Sequence, residues 1–299
     1  MKLFWKKHLR KRSFNLNTFR NTKKHNIFAN WSPYSRGLTY HNFLINFFVN
    51  RDKKKFIKFK KSINNLNIGH PPHVLYDDKF FITYDDCLSY EEFYFLKKNL
   101  RYKKDLNVIE IGPGYGRSVE YIINNFPISK YFVIDYSKIL ILTKKYLKCV
   151  LSKEQYKKIE FCDFEKYRFE KNYFKKNYKI NKFDLVFNSD SFHEIEKKII
   201  NKYLKYFSNL ASNFFIKNAV AKYKITDLVD HLSNKDVPRF NKNLGLCNKT
   251  INVFDNKQIS KNSKIFLKKY NPYKKGSVIS RMSEIYPTCM LALFSKKNN

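Results

Sequence analysis

The chain has 299 residues, 43% hydrophobic and 18% aromatic, and its 60 Lys and Arg against 25 Asp and Glu give a formal charge of +35. This length suits one large domain or a core domain with an extension, with a ring-rich core. The five cysteines (Cys87, Cys149, Cys162, Cys247, Cys289) form no C-x-x-C, so neither a disulfide framework nor a zinc site is indicated.

The charge has two readings. A polyanion, either nucleic acid or an anionic membrane surface, is the usual partner of so basic a chain. An AT-rich genome also enriches Lys, Asn, Ile, Phe and Tyr together while Gly stays at 7, and lysines scattered over helix faces fit a solvated surface. Nucleic acid is therefore possible but not favoured. Met1–Arg12 lacks the apolar stretch of a signal peptide. The most lipid-like run, Phe43–Val49, is too short to span a bilayer. A cytoplasmic protein without a transmembrane segment is expected, its oligomeric state left open.

In chain order, residues 1–65 read as a basic N-terminal helical extension, with a short helix around His41–Phe48 and a Lys- and Phe-rich run at Arg51–Lys61. Asn67–Pro72 is a break, because each proline disfavours helix in the residue before it. His70 and His73 flank its prolines, but without further ligands at fixed spacing no metal is expected there; Asp77 and Asp78 are only nearby. Val74–Thr83 reads as extended. Ser89–Leu100 reads as helix, with Glu91 and Glu92 suited to its first turn. An alternating region follows: strands 107–111, 130–135, 158–162, 183–188 and 213–217, with helices 116–126, 137–151 and 194–208. Strands separated by helical patterns argue an α/β fold with a parallel sheet and right-handed crossovers. Lys166–Lys182 reads as a loop or short helix. Lys264–Lys268 and Thr288–Ser295 are the expected late strands, and an insertion or lid is expected at about 219–262. The core domain is taken as 66–299.

Val108–Gly116 (Val-Ile-Glu-Ile-Gly-Pro-Gly-Tyr-Gly) is the most informative stretch. It reads as strand, glycine turn, helix. Glycine tolerates φ > 0 and lets a ligand lie against bare backbone, and the helix behind offers unpaired N–H groups. Asp135 ends the next apolar run, where a βαβ nucleotide fold puts a carboxylate on a ribose. Two cofactors compete for this geometry. A dinucleotide wants G-x-G-x-x-G and a pyrophosphate at the helix N-terminus. Here the spacing is G-x-G-x-G, and Glu110 would repel a pyrophosphate but could accept hydrogen bonds from a cationic amino-acid moiety. S-adenosylmethionine carries that ammonium, a sulfonium and a ribose, and no phosphate.

The pattern resembles the first motif of the class I S-adenosylmethionine-dependent methyltransferases. The resemblance implies a Rossmann-like, seven-stranded, mostly parallel sheet with helices on both faces. Asp135 then matches the ribose-hydroxyl acid after the second strand. Asp163 matches the acid near the adenine after the third. Phe183–Ser189 looks like the fourth strand with its following motif. The implied cofactor set is Glu110, Gly112, Gly114, Gly116, Asp135, Tyr136, Asp163, Phe164 and Asn188, with no metal. Within this superfamily, Gly69-His-Pro-Pro, Val108–Gly116 and the phrase Phe183–Ile195 (Phe-Asp-Leu-Val-Phe-Asn-Ser-Asp-Ser-Phe-His-Glu-Ile) are similar to the sugar O-methyltransferase family, as is Tyr286–Leu293 to its final strand. The likeness covers roughly 66–296.

In a doubly wound sheet the segment after the fourth strand faces the ligand crevice. Methyl transfer to an alcohol needs removal of a proton, and a histidine is the usual general base. His193 is therefore the base candidate, with Asp190 and Glu194 as alternatives or as its orienting partner. The other reading is that these residues only wall the cofactor. The family often has Gln or another residue where this chain has His193, so that role does not carry over. The segment lacks the Asn/Asp-Pro-Pro-Tyr/Phe of enzymes acting on base amines and has no cysteine nucleophile for pyrimidine C5 methylation. Lys217 and Asn218 end the fifth strand, within reach of a substrate or, for Lys217, exposed. Arg281, with Glu284, Tyr286 and Pro287, precedes the last strand and either contacts substrate or closes a turn. The expected activity is methyl transfer to a hydroxyl of a sugar or sugar nucleotide. The alternatives are an RNA or protein methyltransferase docking through the basic arm, and a binding protein with a vestigial cofactor site.

Overall fold

The computed structural model describes residues 14–20, 38–63, 68–71, 73–76, 80–102, 105–166, 170, 172–224 and 241–297. Met1–Arg12, Asp77, Asp78 and positions 225–240 of the expected insertion lie outside the described residues.

A helix α1 (Leu38–Lys61) leads, interrupted at Asp52, where the backbone leaves helical geometry (φ −156°, ψ 62°). A hairpin of β1 (His73–Tyr76) and β2 (Phe80–Thr83) follows, then α2 (Tyr84–Asn99). The alternating part is β3 (Leu106–Ile111), α3 (Arg117–Asn125), β4 (Ile128–Asp135), α4 (Ser137–Val150), a short α5 (Lys153–Tyr156) and β5 (Ile159–Asp163). It continues with α6 (Tyr173–Tyr178), β6 (Phe183–Ser189), α7 (Lys197–Ser208) and β7 (Ala211–Ala219). Two-residue strands β8 (Lys222–Tyr223) and β9 (Thr250–Ile251) pair beside the sheet; α8 (Asn256–Tyr270), β10 (Gly276–Met282) and β11 (Cys289–Lys296) close the chain.

The seven-stranded sheet has the order β10-β11-β7-β6-β3-β4-β5. Strands β3 to β7 are parallel, while β11 runs antiparallel to both β7 and β10. Successive side chains alternate between faces with the period of two that a strand imposes. Val108, Val133, Phe215 and Leu293 join one core, shared with α1 to α4. Ile109, Phe132, Phe214 and Phe294 join the other, under α6, α7 and α8. Near-continuous apolar strands, buried on both faces, are what a parallel sheet requires. Helix α1 belongs to the first core: Phe56 and Phe59 pack edge-on against Tyr90 of α2, with ring centroids 5.0 and 5.5 Å apart.

Three elements differ from the sequence expectations. Helix α2 begins at Tyr84 and not at Ser89, because Thr83 and Asp86 form a reciprocal capping box. Glu91 and Glu92 consequently fall in mid-helix, fully buried, and not in the first turn. Lys264–Lys268 is helical. Asp255 caps the backbone N–H groups of Lys257 and Gln258, and Ile259, Phe266 and Tyr270 share the buried face of α8. A short apolar run does not by itself distinguish a strand from a helix segment. The strand sought there is instead β10, a sheet edge whose Val278 and Ile279 are exposed. Finally, α7 starts at Lys197, preceded by a 3-10 turn Phe192–Glu194, so Glu194 lies in that turn and not on the helix. No helix among the described residues is long and apolar enough to cross a membrane.

Candidate functional site

The strand order reverses at β3. The chain leaves it for β4 and β5 on one side and returns to β6 and β7 on the other. Ligands of open α/β sheets sit at such a switch point, beyond the carboxyl ends of the strands. A cleft opens there, walled by the loop after β3, the ends of β4 and β6, the start of α2 and the segment that includes Arg20.

The loop after β3 is held in left-handed conformations: φ is +73° at Gly112, +59° at Gly114 and +104° at Gly116. A Cβ on Gly112 would collide with the Ser191 side chain, so the loop and the segment after β6 fit together only because that carbon is missing. Asp135, at the end of β4, accepts hydrogen bonds from the backbone N–H of Gly114 (3.2 Å) and of Tyr136 (2.7 Å). Burial pushes its carboxyl up to about 7, against the pull of those two donors. Tyr136, Ile139, Phe164 and Tyr203 add an aromatic and apolar wall beside it.

Other expected cofactor residues have different neighbours. Glu110 borders the cleft but is almost fully buried, and its two oxygens accept bonds from Ser118 Oγ and, at 2.7 Å, from Tyr131 Oη. Burial raises its carboxyl to about 7. The bonds expected for a ligand ammonium thus go inward. Asp163 is not brought to the cleft: its Oδ1 accepts from the Glu165 backbone and caps the turn after β5. Asn188, completely buried, donates to the Ile111 carbonyl (2.8 Å) and accepts from Asn218 (2.8 Å), tying β6 to the glycine loop. Gly116 serves packing, since a Cβ there would press on Leu147 of α4 at 3.1 Å.

The second half of the cleft gathers Ser189, Asp190, His193 and Glu194 with Tyr84, Tyr223 and Tyr286. Asp190 sits at φ +58°. The backbone N–H of His193 donates to Asn218 Oδ1, and its Nδ1 lies 3.2 Å from the same oxygen. Because the amide nitrogen of Asn218 is committed to Asn188, that oxygen is an acceptor, and His193 carries its proton on Nδ1. Nε2 then stands 3.5 Å from Glu194 Oε1, so a proton taken up at Nε2 would be held against a carboxylate.

The sheet order, the lone antiparallel strand beside β7 and the glycine loop at the switch point decide the architecture. It is the Rossmann-like, seven-stranded, mostly parallel sheet that the sequence resemblance implies. No protein-family model matches the sequence, and no curated protein does. Among solved structures, the chain is similar to the methyltransferase domain of bacterial CtHen1, with a TM-score of 0.45 and 14% identity over 68% of this chain and 95% of that one. It is also similar to an O-methyltransferase family protein from Burkholderia thailandensis, with a TM-score of 0.41 and 10% identity over 71% of this chain and 58% of that one. A third is mitomycin 7-O-methyltransferase MmcR, with a TM-score of 0.42 and 10% identity over 71% and 56%.

The fold also exposes what sequence reasoning missed. Glu92 binds Arg117 through two 3.0 Å bonds and Lys217 Nζ at 3.0 Å, and accepts from Ser189 Oγ at 2.7 Å. Lys217, fully buried, also reaches Asp190 at 3.0 Å. Burial opposes the Lys217 charge, but Asp190, Glu92 and Glu91 outweigh it and raise the ammonium pKa above its usual range. Burial likewise opposes the Glu92 charge, yet Arg117 and Lys217 bring the carboxyl down to about 2. Lys217 is thus neither exposed nor at the open surface of the cleft. Arg281 pairs with Glu284 at 3.0 Å and closes the β10–β11 turn, which Glu91 also anchors through Ser283 and the Glu284 backbone. The available signal was two acids, Glu91 and Glu92, inside an otherwise apolar helical stretch: acids are rarely buried unless paired.

Proposed function

We propose that this chain is an S-adenosylmethionine-dependent methyltransferase acting on a hydroxyl of a sugar, nucleotide-linked or part of a surface glycan. The observation that carries the reading is the convergence on one cleft of a left-handed glycine loop, the Asp135 carboxylate, Asp190 and His193. The cofactor residues fit: the loop has no Cβ where Ser191 closes in, Asp135 can accept bonds from ribose hydroxyls, and Tyr136 and Phe164 offer apolar surface to an adenine ring. When bound, S-adenosylmethionine supplies an electrophilic methyl group on its sulfonium. His193 serves as the acceptor's base, with Glu194 holding the proton gained at Nε2. Asp190, tethered by Lys217, orients the acceptor. Aromatic faces from Tyr84, Tyr223 and Tyr286, next to a carboxylate, suit a ring that carries several hydroxyls.

Labelled methyl transfer by the purified chain across sugar-nucleotide, glycan and RNA pools tests the reading. Label on a sugar pool is the expected result. Label on RNA, with steep salt dependence of binding, would move the assignment to a nucleic-acid acceptor. Absence of S-adenosylmethionine binding by calorimetry would reject the enzyme altogether.

A further inference from the structure

The cleft contains an ion pair that the functional reading does not use. Arg20 and Asp85 both line it, 2.8 Å apart, next to the glycine loop. Arg20 comes from the segment 14–20, outside the stretch that carries the sequence resemblance. Its backbone N–H donates to the Gly69 carbonyl at 2.9 Å. The neighbouring Phe19 packs edge-on against Tyr115 (5.1 Å) and Tyr146 (6.2 Å). The seat exists because residue 69 is glycine: a Cβ there would lie 2.5 Å from the Phe19 ring. The segment is thus fastened across the loop, and it delivers a guanidinium to the wall of the cleft.

That guanidinium is incompletely used. Arg20 is 3% exposed. One terminal nitrogen takes Asp85 and, at 3.3 Å, Thr83 Oγ1; the other has only a 3.4 Å approach to the Ile68 carbonyl. Nε is buried with no hydrogen-bond partner among the described residues. A buried donor left unmade is costly. The guanidinium fork matches a carboxylate bidentately. Asp85 is the more open partner, 25% exposed. Its bonds from Arg20 and from Tyr115 Oη (2.7 Å) both fall on Oδ2. The competing groups are committed: Arg117 is bound to Glu92 through both terminal nitrogens, and Glu110 to Ser118 and Tyr131.

The position along the loop matters as well. Gly114 touches Asp135, and the adjacent Tyr115 touches Asp85 and lies under Arg20, 5.3 Å from its ring centroid. The loop therefore stands between a carboxylate with an apolar wall and a pair of opposite charges. A nucleoside suits the first and an α-amino-acid zwitterion the second.

We infer that Arg20 and Asp85 form the amino-acid subsite of the cofactor cleft, Arg20 taking the α-carboxylate and Asp85 the α-ammonium. The inference rests on the S-adenosylmethionine reading and moves the ammonium contact from Glu110 to Asp85. It also gives the N-terminal segment a role in cofactor retention.

The test is calorimetry on the full chain with S-adenosylmethionine, its decarboxylated analogue, and 5′-methylthioadenosine, which lacks the amino-acid moiety. In the unmutated protein, loss of the carboxylate should weaken binding about 10- to 100-fold, the range for a hydrogen bond to a charged group. Arg20→Gln should weaken S-adenosylmethionine by a similar factor yet leave the decarboxylated analogue nearly unchanged. Arg20→Lys should recover part of the loss. Asp85→Asn should weaken both amine-bearing ligands and spare methylthioadenosine. Equal affinity of the unmutated protein for S-adenosylmethionine and its decarboxylated analogue overturns the proposal, and that measurement needs no variant to fold. So does an Arg20→Gln loss that is the same for all three ligands, the mark of a merely structural ion pair. If no adenosyl ligand binds at all, the cofactor reading itself has failed, a result distinct from either of these.

Discussion

Glu92→Gln should be among the most damaging single changes available outside the apolar core. Glutamine keeps the shape and removes the charge, which leaves Lys217 and Arg117 buried with Asp190 as the remaining carboxylate in contact. The structure sets the size of the effect. A carboxyl held at about 2, against ~4.3 for an unperturbed glutamate, corresponds to about 3 kcal/mol at ~1.4 kcal/mol per pH unit. Breaking one partner of a buried ion pair falls in a range of about 3–5 kcal/mol. For a chain of this length that is a fall in melting temperature of roughly 5–8 °C. Lys217→Met alone should cost less, because Glu92 keeps Arg117, Ser189 and Tyr121. The double variant should recover at least ~1 kcal/mol relative to additivity, since it removes the ammonium that the first change strands. The sign with pH follows from the direction of the shift. A depressed carboxyl contributes stability that is complete above the unfolded value and lost as pH falls toward about 2. The stability gap between the unmutated protein and Glu92→Gln should therefore close between about pH 4 and pH 2. Thermal and urea unfolding of the three variants decide the matter. A loss below ~1 kcal/mol, or strict additivity in the double variant, would refute the view that Glu92 neutralises two buried cations.

Gly114→Val forces a β-branched residue to φ +59° and should cost the loop roughly 1–2 kcal/mol while abolishing S-adenosylmethionine binding; unchanged affinity by calorimetry would overturn the loop assignment. Asp135 has a folded-state carboxyl raised to about 7, so its buried charge costs the ligand-free protein stability as pH rises from ~4 through that value. Ribose donors favour the ionised form, so cofactor affinity should rise up to about pH 7 and then level, with proton release on binding below it. Asp135→Asn should remove that dependence, and a slope that persists in the variant assigns it elsewhere. His193→Ala should lower turnover more than cofactor affinity, and equal turnover would remove it as base. Gly112→Ala drives a methyl into Ser191 and should lower both melting temperature and cofactor affinity, which calorimetry and thermal unfolding check together.

What the sequence determined by itself is whatever local chemistry controls. The glycine loop, the apolar strands around it and Asp135 at a strand end were legible, because a positive-φ turn and a period-two pattern are written in adjacent residues. Adjacent residues could not show which way a carboxylate faces. Asp163 turns to cap its own loop, Glu110 turns to Ser118 and Tyr131, and Asn188 clamps the glycine loop from behind. Those choices depend on partners 2 to 77 positions away. The Glu92–Lys217 pair, 125 positions apart, and the Arg20–Asp85 pair, joined across α1 and the hairpin, exist only once the chain has folded back on itself. A buried charge is tolerated only beside its counter-charge, and which residues meet is decided by sheet order and helix packing, not by spacing along the chain.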